Sequence, residues 1–173
     1  VDQVLLDIAD PAALRWLQAC LWPSDGPRRE RLSRAASSLQ HDLPERIEAE
    51  DGLDVLQAWL PAAQGQPVLF NSWVLAYFDD AALQAHRARV LQRVRSHGLV
   101  WLSAEDARCT RATAPGLGEQ LQPSPQATAA GLAYGQAPTF WVLTEADPSL
   151  PEGVRQTLLA RSHPHGAWLE WLA

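Results

Sequence analysis

Two short polar clusters stand where a sheet would place a reaction site. Pro67-Val68-Leu69-Phe70 is an apolar run that halts at Asn71-Ser72, and Leu99-Val100-Trp101-Leu102 is another that stops at Ser103-Ala104-Glu105-Asp106. Between them the chain from Asp79 to His97 has helical spacing. Continuous apolar strands that end in polar residues and alternate with a long helix describe a parallel sheet covered on both faces. Ligands in such sheets sit just beyond the carboxyl ends of the strands. Asn71 and Glu105 are therefore the catalytic candidates. Glu105 could orient a base or accept a proton in a cleft; the competing and favoured expectation is a surface ion pair with Arg108 or Arg111.

Asp51-Gly52 is a third candidate. A carboxylate after a strand has two acceptor oxygens for ribose hydroxyls, and a glycine lets a ligand approach the backbone. The plainer reading is that Asp51 caps the helix opening at Leu53. His163-Pro164-His165 offers two imidazoles and no third ligand, so it reads as a turn and not as a metal site. Arg28, Arg29 and Arg31 could meet a phosphate or an acidic partner, but such clusters most often form a solvated face. Ser72, Asp106 and His163 or His165 follow a hydrolase order of nucleophile, acid and base. That reading is weak, because Phe70 and Val74 occupy the two places where a nucleophile elbow needs small residues.

The elements that must hold these residues follow from spacing. Asp10-Pro11 predicts a capped helix carrying Leu14, Leu17 and Leu21 on one face, and a second helix starts near Pro27. A strand is expected over 47–51, then a helix with Leu53, Leu56 and Leu60 that stops at Pro61. Strands over 67–71 and 99–103 flank the 79–97 helix, with Gly98 as its C-cap. Residues 107–138 read as an irregular insertion, a lid candidate. A strand at 139–144, a short helix around 154–161 and a last strand at 167–172 complete the chain. The expected architecture is α/β, Rossmann-like and mostly parallel, ending in an antiparallel hairpin of the 139–144 and 167–172 strands.

Composition narrows the function classes. Of 173 residues, 47% are hydrophobic and 20% charged, ordinary for a globular protein. The net charge of −6 argues against a general nucleic-acid binder. No run approaches the length of a membrane span. Two cysteines, Cys20 and Cys109, read as reduced thiols in a cytoplasmic protein. Eight tryptophans read mainly as core. There is no methionine, so Val1 is read as other than the natural start.

Asp10-Pro11 with Arg15-Trp16-Leu17, Ala19-Cys20, Trp22-Pro23 and Arg28 to Leu32 resembles a bacterial family, domain of unknown function 2332. Asp51-Gly52, Leu75-Ala76-Tyr77, Val100-Trp101-Leu102 with Glu105, and His165-Gly166-Ala167-Trp168-Leu169-Glu170-Trp171 extend the resemblance along nearly the whole chain. Family members are roughly twice as long, and their first half carries what looks like the nucleotide loop of a class I methyltransferase. The resemblance thus implies the C-terminal part of one Rossmann-like, methyltransferase-like domain, with S-adenosylmethionine as ligand of the full-length protein and no cofactor for residues 1–173 alone. It places Asp2 near a ribose-holding acid, Asp51 near a group meeting the adenine amine, and Asn71 on the substrate side, where the family more often shows histidine. The expected partner is the missing N-terminal half or a second copy pairing at an open sheet edge. The alternatives are a non-catalytic interaction half-domain, marked by exposed aromatic surface, and the hydrolase.

Overall fold

The structure, a computed structural model, describes residues 7, 10–21, 26–41, 51–121, 138–164 and 168–173. The chain divides into two compact units, Val1–Val55 and Leu56–Ala173.

In the first unit, α1 (Pro11–Ala19) begins as its sequence predicts. Asp10 is extended and its Oδ1 accepts from Ala12 N at 2.8 Å, with proline at the first helical position. Next comes α2 (Gly26–His41), and α3 (Gly52–Trp59) opens beneath Asp51, whose Oδ1 accepts from Leu53 N at 2.9 Å and Asp54 N at 3.2 Å. The strand expected at 47–51 lies outside the described residues up to Asp51 itself.

The second unit is a five-stranded sheet with helices, a mixed α/β arrangement. Its strands, β1 (Val68–Ser72), β2 (Val100–Glu105), β3 (Thr139–Ala146), β4 (Val154–Ser162) and β5 (Leu169–Trp171), lie side by side in chain order. Only β1 and β2 are parallel, joined by α4 (Asp80–His97); β2, β3, β4 and β5 pair antiparallel in turn. The mostly parallel expectation is therefore corrected among the described residues. The misreading has a local cause. Val154 and Leu158 have helical spacing, yet in β4 they share the helix-covered face of a strand, and a bulge opposite Trp141/Val142 turns Ala160 to the other face. A short apolar segment fits both periods, and the free edge of β3 decides between them. β4 thus takes the place opposite β3 that the sequence reading gave to the last strand, and β5 pairs with β4 instead.

One sheet face is covered by α4 and by α5 (Ala107–Thr113). Into that layer point Trp101, Phe140, Val142 and Leu158, meeting Leu83, Val90 and Val94 of α4 and Ala114, Leu117 and Leu121 beyond α5, all buried. Residues 107–121, expected to be irregular, are thus a helix and a 3-10 turn (Pro115–Gln120) that build core; 122–137 lie outside the described residues. Side chains of the opposite face stay open. Val68 and Phe70 are both 53% exposed, Leu169 51% and Trp171 68%. Among the described tryptophans only Trp101 is buried, so the reading of tryptophan as mainly core is corrected.

Asp79 caps α4, its Oδ1 accepting from Ala82 N at 2.8 Å, and Gly98 ends it in the left-handed region at φ 62°. An added Cβ at Gly98 would meet nothing within 4 Å. Gly98→Ala is therefore expected to cost about 1 kcal/mol, from backbone conformation alone. A lower urea midpoint with an unchanged slope checks it.

Candidate functional site

Alternation along β1 and β2 sends Leu69 and Asn71, and Trp101, Ser103 and Glu105, to the helix-covered face. Asn71 lies opposite Ser103, so Trp101 and Glu105 are its diagonal neighbours. The structure joins all three. Trp101 Nε1 donates to Asn71 Oδ1 at 2.6 Å, and Asn71 Nδ2 donates to Glu105 Oε1 at 3.1 Å. An indole N–H can only donate, so it fixes which end of the Asn71 amide faces Glu105.

Glu105 Oε1 also accepts the backbone N–H groups of Val74 (3.1 Å) and Leu75 (3.2 Å). These belong to a lip that follows β1, a turn at Trp73 and a 3-10 turn over Leu75–Tyr77. Trp73 has φ 55°, an uncommon conformation for an aromatic residue, costing on the order of 1–2 kcal/mol. It is held there from both ends: its N–H donates to Ala104 O (3.1 Å) and its Nε1 to Thr139 Oγ1 (2.9 Å). Arg108 of α5 pins the far end, donating to Ala76 O and Phe78 O and pairing with Asp80. The lip is thus fastened to the β2–α5 junction by one acid and one base.

Glu105 is 1% exposed, which corrects the surface ion pair expected for it. Its Oε2 is buried and has no hydrogen-bond partner. Burial raises its pKa above the usual glutamate range; the hydrogen bonds from Leu75, Asn71 and Val74 pull the other way, and Asp106 adds a small upward push. Nearby, burial and then the Asp106 carboxylate push the Cys109 thiol up to about 12, so it is an inert packing group.

The other candidates separate from this pair. Asp106 caps α5, its Oδ1 accepting from Cys109 N at 2.7 Å, and the strained residue of the lip is Trp73, one beyond Ser72. Neither arrangement serves a serine nucleophile. Asp51 caps α3, as its plainer reading had it, with Gly52 as the first helical residue. Asp2 and His165 lie outside the described residues. Among the described residues no three His, Cys, Asp or Glu side chains gather as a metal site. Arg28, Arg29 and Arg31 lie in the first turns of α2. Sequence reading missed Trp101, Arg108 and the two lip amides. A signal existed for the first: Trp101, Ser103 and Glu105 alternate, which puts two polar groups on a buried face beside an indole.

The comparisons with known proteins bear on the chain as a whole. A family model described as an uncharacterized protein conserved in bacteria (DUF2332) matches residues 1–171. The chain belongs to this family. No curated protein and no solved structure matches it. For DUF2332, then, the site must be read from its own geometry. Among the described residues of this member, no helix is long and apolar enough to cross a membrane.

Proposed function

We propose that the full-length DUF2332 protein is a methyltransferase-like nucleotide binder, with S-adenosylmethionine as the ligand to try first. One observation carries the reading: the two side chains chosen as catalytic candidates, Asn71 and Glu105, hydrogen-bond to each other at the carboxyl ends of the parallel pair. That is where ligands bind in open α/β sheets. The nucleotide roles of Asp2, Asp51 and Gly52, and the incompleteness of the sheet, rest on the family resemblance, and fold analogy alone would not assign a reaction. Calorimetric titration of the full-length protein with S-adenosylmethionine and S-adenosylhomocysteine tests the proposal. Heat of binding is expected, with at least about tenfold weaker affinity in Asn71→Ala, a loss of ~1.4 kcal/mol or more. Folded protein that gives no heat with either ligand overturns it.

A second reading has its own support. The open sheet face sets Phe70 against Trp141, stacked at 6.1 Å between ring centres, and leaves Trp171 largely exposed at the β5 edge. Exposed aromatic surface of this kind marks an interaction face. On this reading the chain is a non-catalytic half-domain, completed by an N-terminal half or a second copy along an open strand edge.

A further inference from the structure

The sheet face turned away from α4 holds a cavity of its own. Trp141, Ala160 and Trp171 lie side by side on β3, β4 and β5, so two indoles flank a single methyl group. Their roots are about 10 Å apart at ordinary strand spacing. Between them opens a slot of about 270 Å³, lined by Leu102, Trp141, Leu159, Ala160, Leu169 and Trp171. One wall is fixed. Trp141 stacks on Phe70 with 15° between the rings, and its Nε1 donates to Ser162 Oγ at 2.9 Å. The other wall, Trp171, is the most exposed of the described tryptophans, and Phe70, Leu169 and Leu172 around it are exposed as well.

We propose that this face packs on the same face of a second copy about a two-fold axis, each Trp171 entering the other copy's slot. An isologous contact needs a surface that carries both halves of the fit, and this one does. A cavity of about 150 Å³ takes a benzene ring, so one of about 270 Å³ has room for an indole. The rings then stack in the order Trp141, Trp171 of the second copy, Trp171, Trp141 of the second copy, which a two-fold axis generates. Area points the same way. An aromatic side chain carries about 150–250 Å², so Trp171, Phe70, Leu169 and Leu172 together offer on the order of 500 Å² per copy. A total of about 1,000 Å² lies at the low end of specific interfaces, and a micromolar dimer is expected. A small molecule fits less well. The six lining side chains bring no oxygen and no charge to orient one, and a ligand filling the slot leaves Phe70 and Leu172 in water. Charge does not oppose a second copy: the chain carries −6, but the polar rim of this face has both signs, with Glu145 opposite Arg155. The inference rests on the second reading, in which this face is an interaction face, and names its occupant. Asn71 and Glu105 lie on the other side of the sheet, so any ligand there is independent of it.

Sedimentation velocity of the full-length protein at about 1–100 μM, where a dimer of this strength dissociates, tests the inference. A reversible dimer is expected. Its dissociation constant should rise at least about tenfold in Ala160→Leu, which fills the slot, and in Trp171→Ser, which removes the ring. Circular dichroism matching the parent shows that both variants are folded. Tryptophan emission of the parent should move to shorter wavelength as concentration rises, and stay fixed in Trp171→Ser. A monomer across the whole range overturns the inference; if that monomer binds the dye ANS and Ala160→Leu does not, the slot belongs to a small apolar ligand instead. A dimer that either variant leaves intact also overturns it, and if both do, the copies pair along a strand edge. None of these outcomes touches the S-adenosylmethionine proposal.

Discussion

Glu105→Ala is expected to lower folding stability by about 3–5 kcal/mol, while Glu105→Gln stays within about 1 kcal/mol of the parent at neutral pH. The alanine variant strips three donors of their acceptor at once. The Leu75 amide is buried, the Val74 amide and the Asn71 side chain partly so, and none can simply turn to water. It also leaves a cavity below the lip and frees the strained turn at Trp73. Glutamine keeps an oxygen at Oε1 and replaces the unpartnered Oε2 with an uncharged N–H₂. The two variants therefore separate the hydrogen bonds from the charge. The pH dependence adds a sign. Burial raises the folded pKa of Glu105 above its ordinary value of 4.5, so the native state holds the proton more tightly than the unfolded chain. Its contribution is fully present below 4.5 and is lost as pH rises through the folded value. Urea denaturation across this window should show parent stability falling with pH, and Glu105→Gln losing that part of the slope. Parallel profiles for the two proteins would sink the argument.

The second large effect belongs to Trp101, which is 1% exposed and, among the described residues, the largest fully buried side chain. It packs against the His86 ring, 5.8 Å away between centres, and fixes Asn71. Trp101→Ala is expected to cost ~3–5 kcal/mol through the cavity and the lost packing. Trp101→Phe is more instructive. It keeps most of the apolar contact and removes the indole donor, at about 1–2 kcal/mol. Its particular signature is at Asn71, whose amide loses the group that sets its orientation. Slow exchange of the Asn71 side-chain N–H₂ protons in the parent, lost in Trp101→Phe, is the expected NMR result. Equal exchange in both proteins would mean that Asn71 is held by Glu105 alone.

How much of this was legible in the sequence depended on whether the signal was local. The Asp10 and Asp51 caps, the helix from 79 to 97, the Gly98 stop and the two apolar runs are local, and they appear where spacing put them. The meeting of Asn71 and Glu105 was also legible, because parallel strands joined by one helix bring their carboxyl ends together. Strand partners beyond β2 were not. Val154 to Arg161 satisfies a helical and a strand period equally, and only the edge offered by β3 selects the strand. Glu105 and Arg108, three residues apart, invited a pairing that burial forbids. The sequence does not show that Arg108 reaches across to the lip and Asp80.

The sheet order carries a consequence for how the unit assembles. Each strand lies beside its predecessor, and the β3–β4 and β4–β5 ladders close over short stretches of chain. The turn between β3 and β4 spans only 147–153 and is tied by Asp147, which binds Ser149 and Arg155 across its mouth. Short closures cost the least chain entropy, and low sequence separation speeds folding. The β3–β4 hairpin is the natural nucleus. The β1–β2 and β2–β3 ladders are the longer closures, Val68 meeting Val100 and Glu105 meeting Phe140. The Asn71–Glu105 contact belongs to one of these longer closures, so by loop entropy the site assembles after the hairpin.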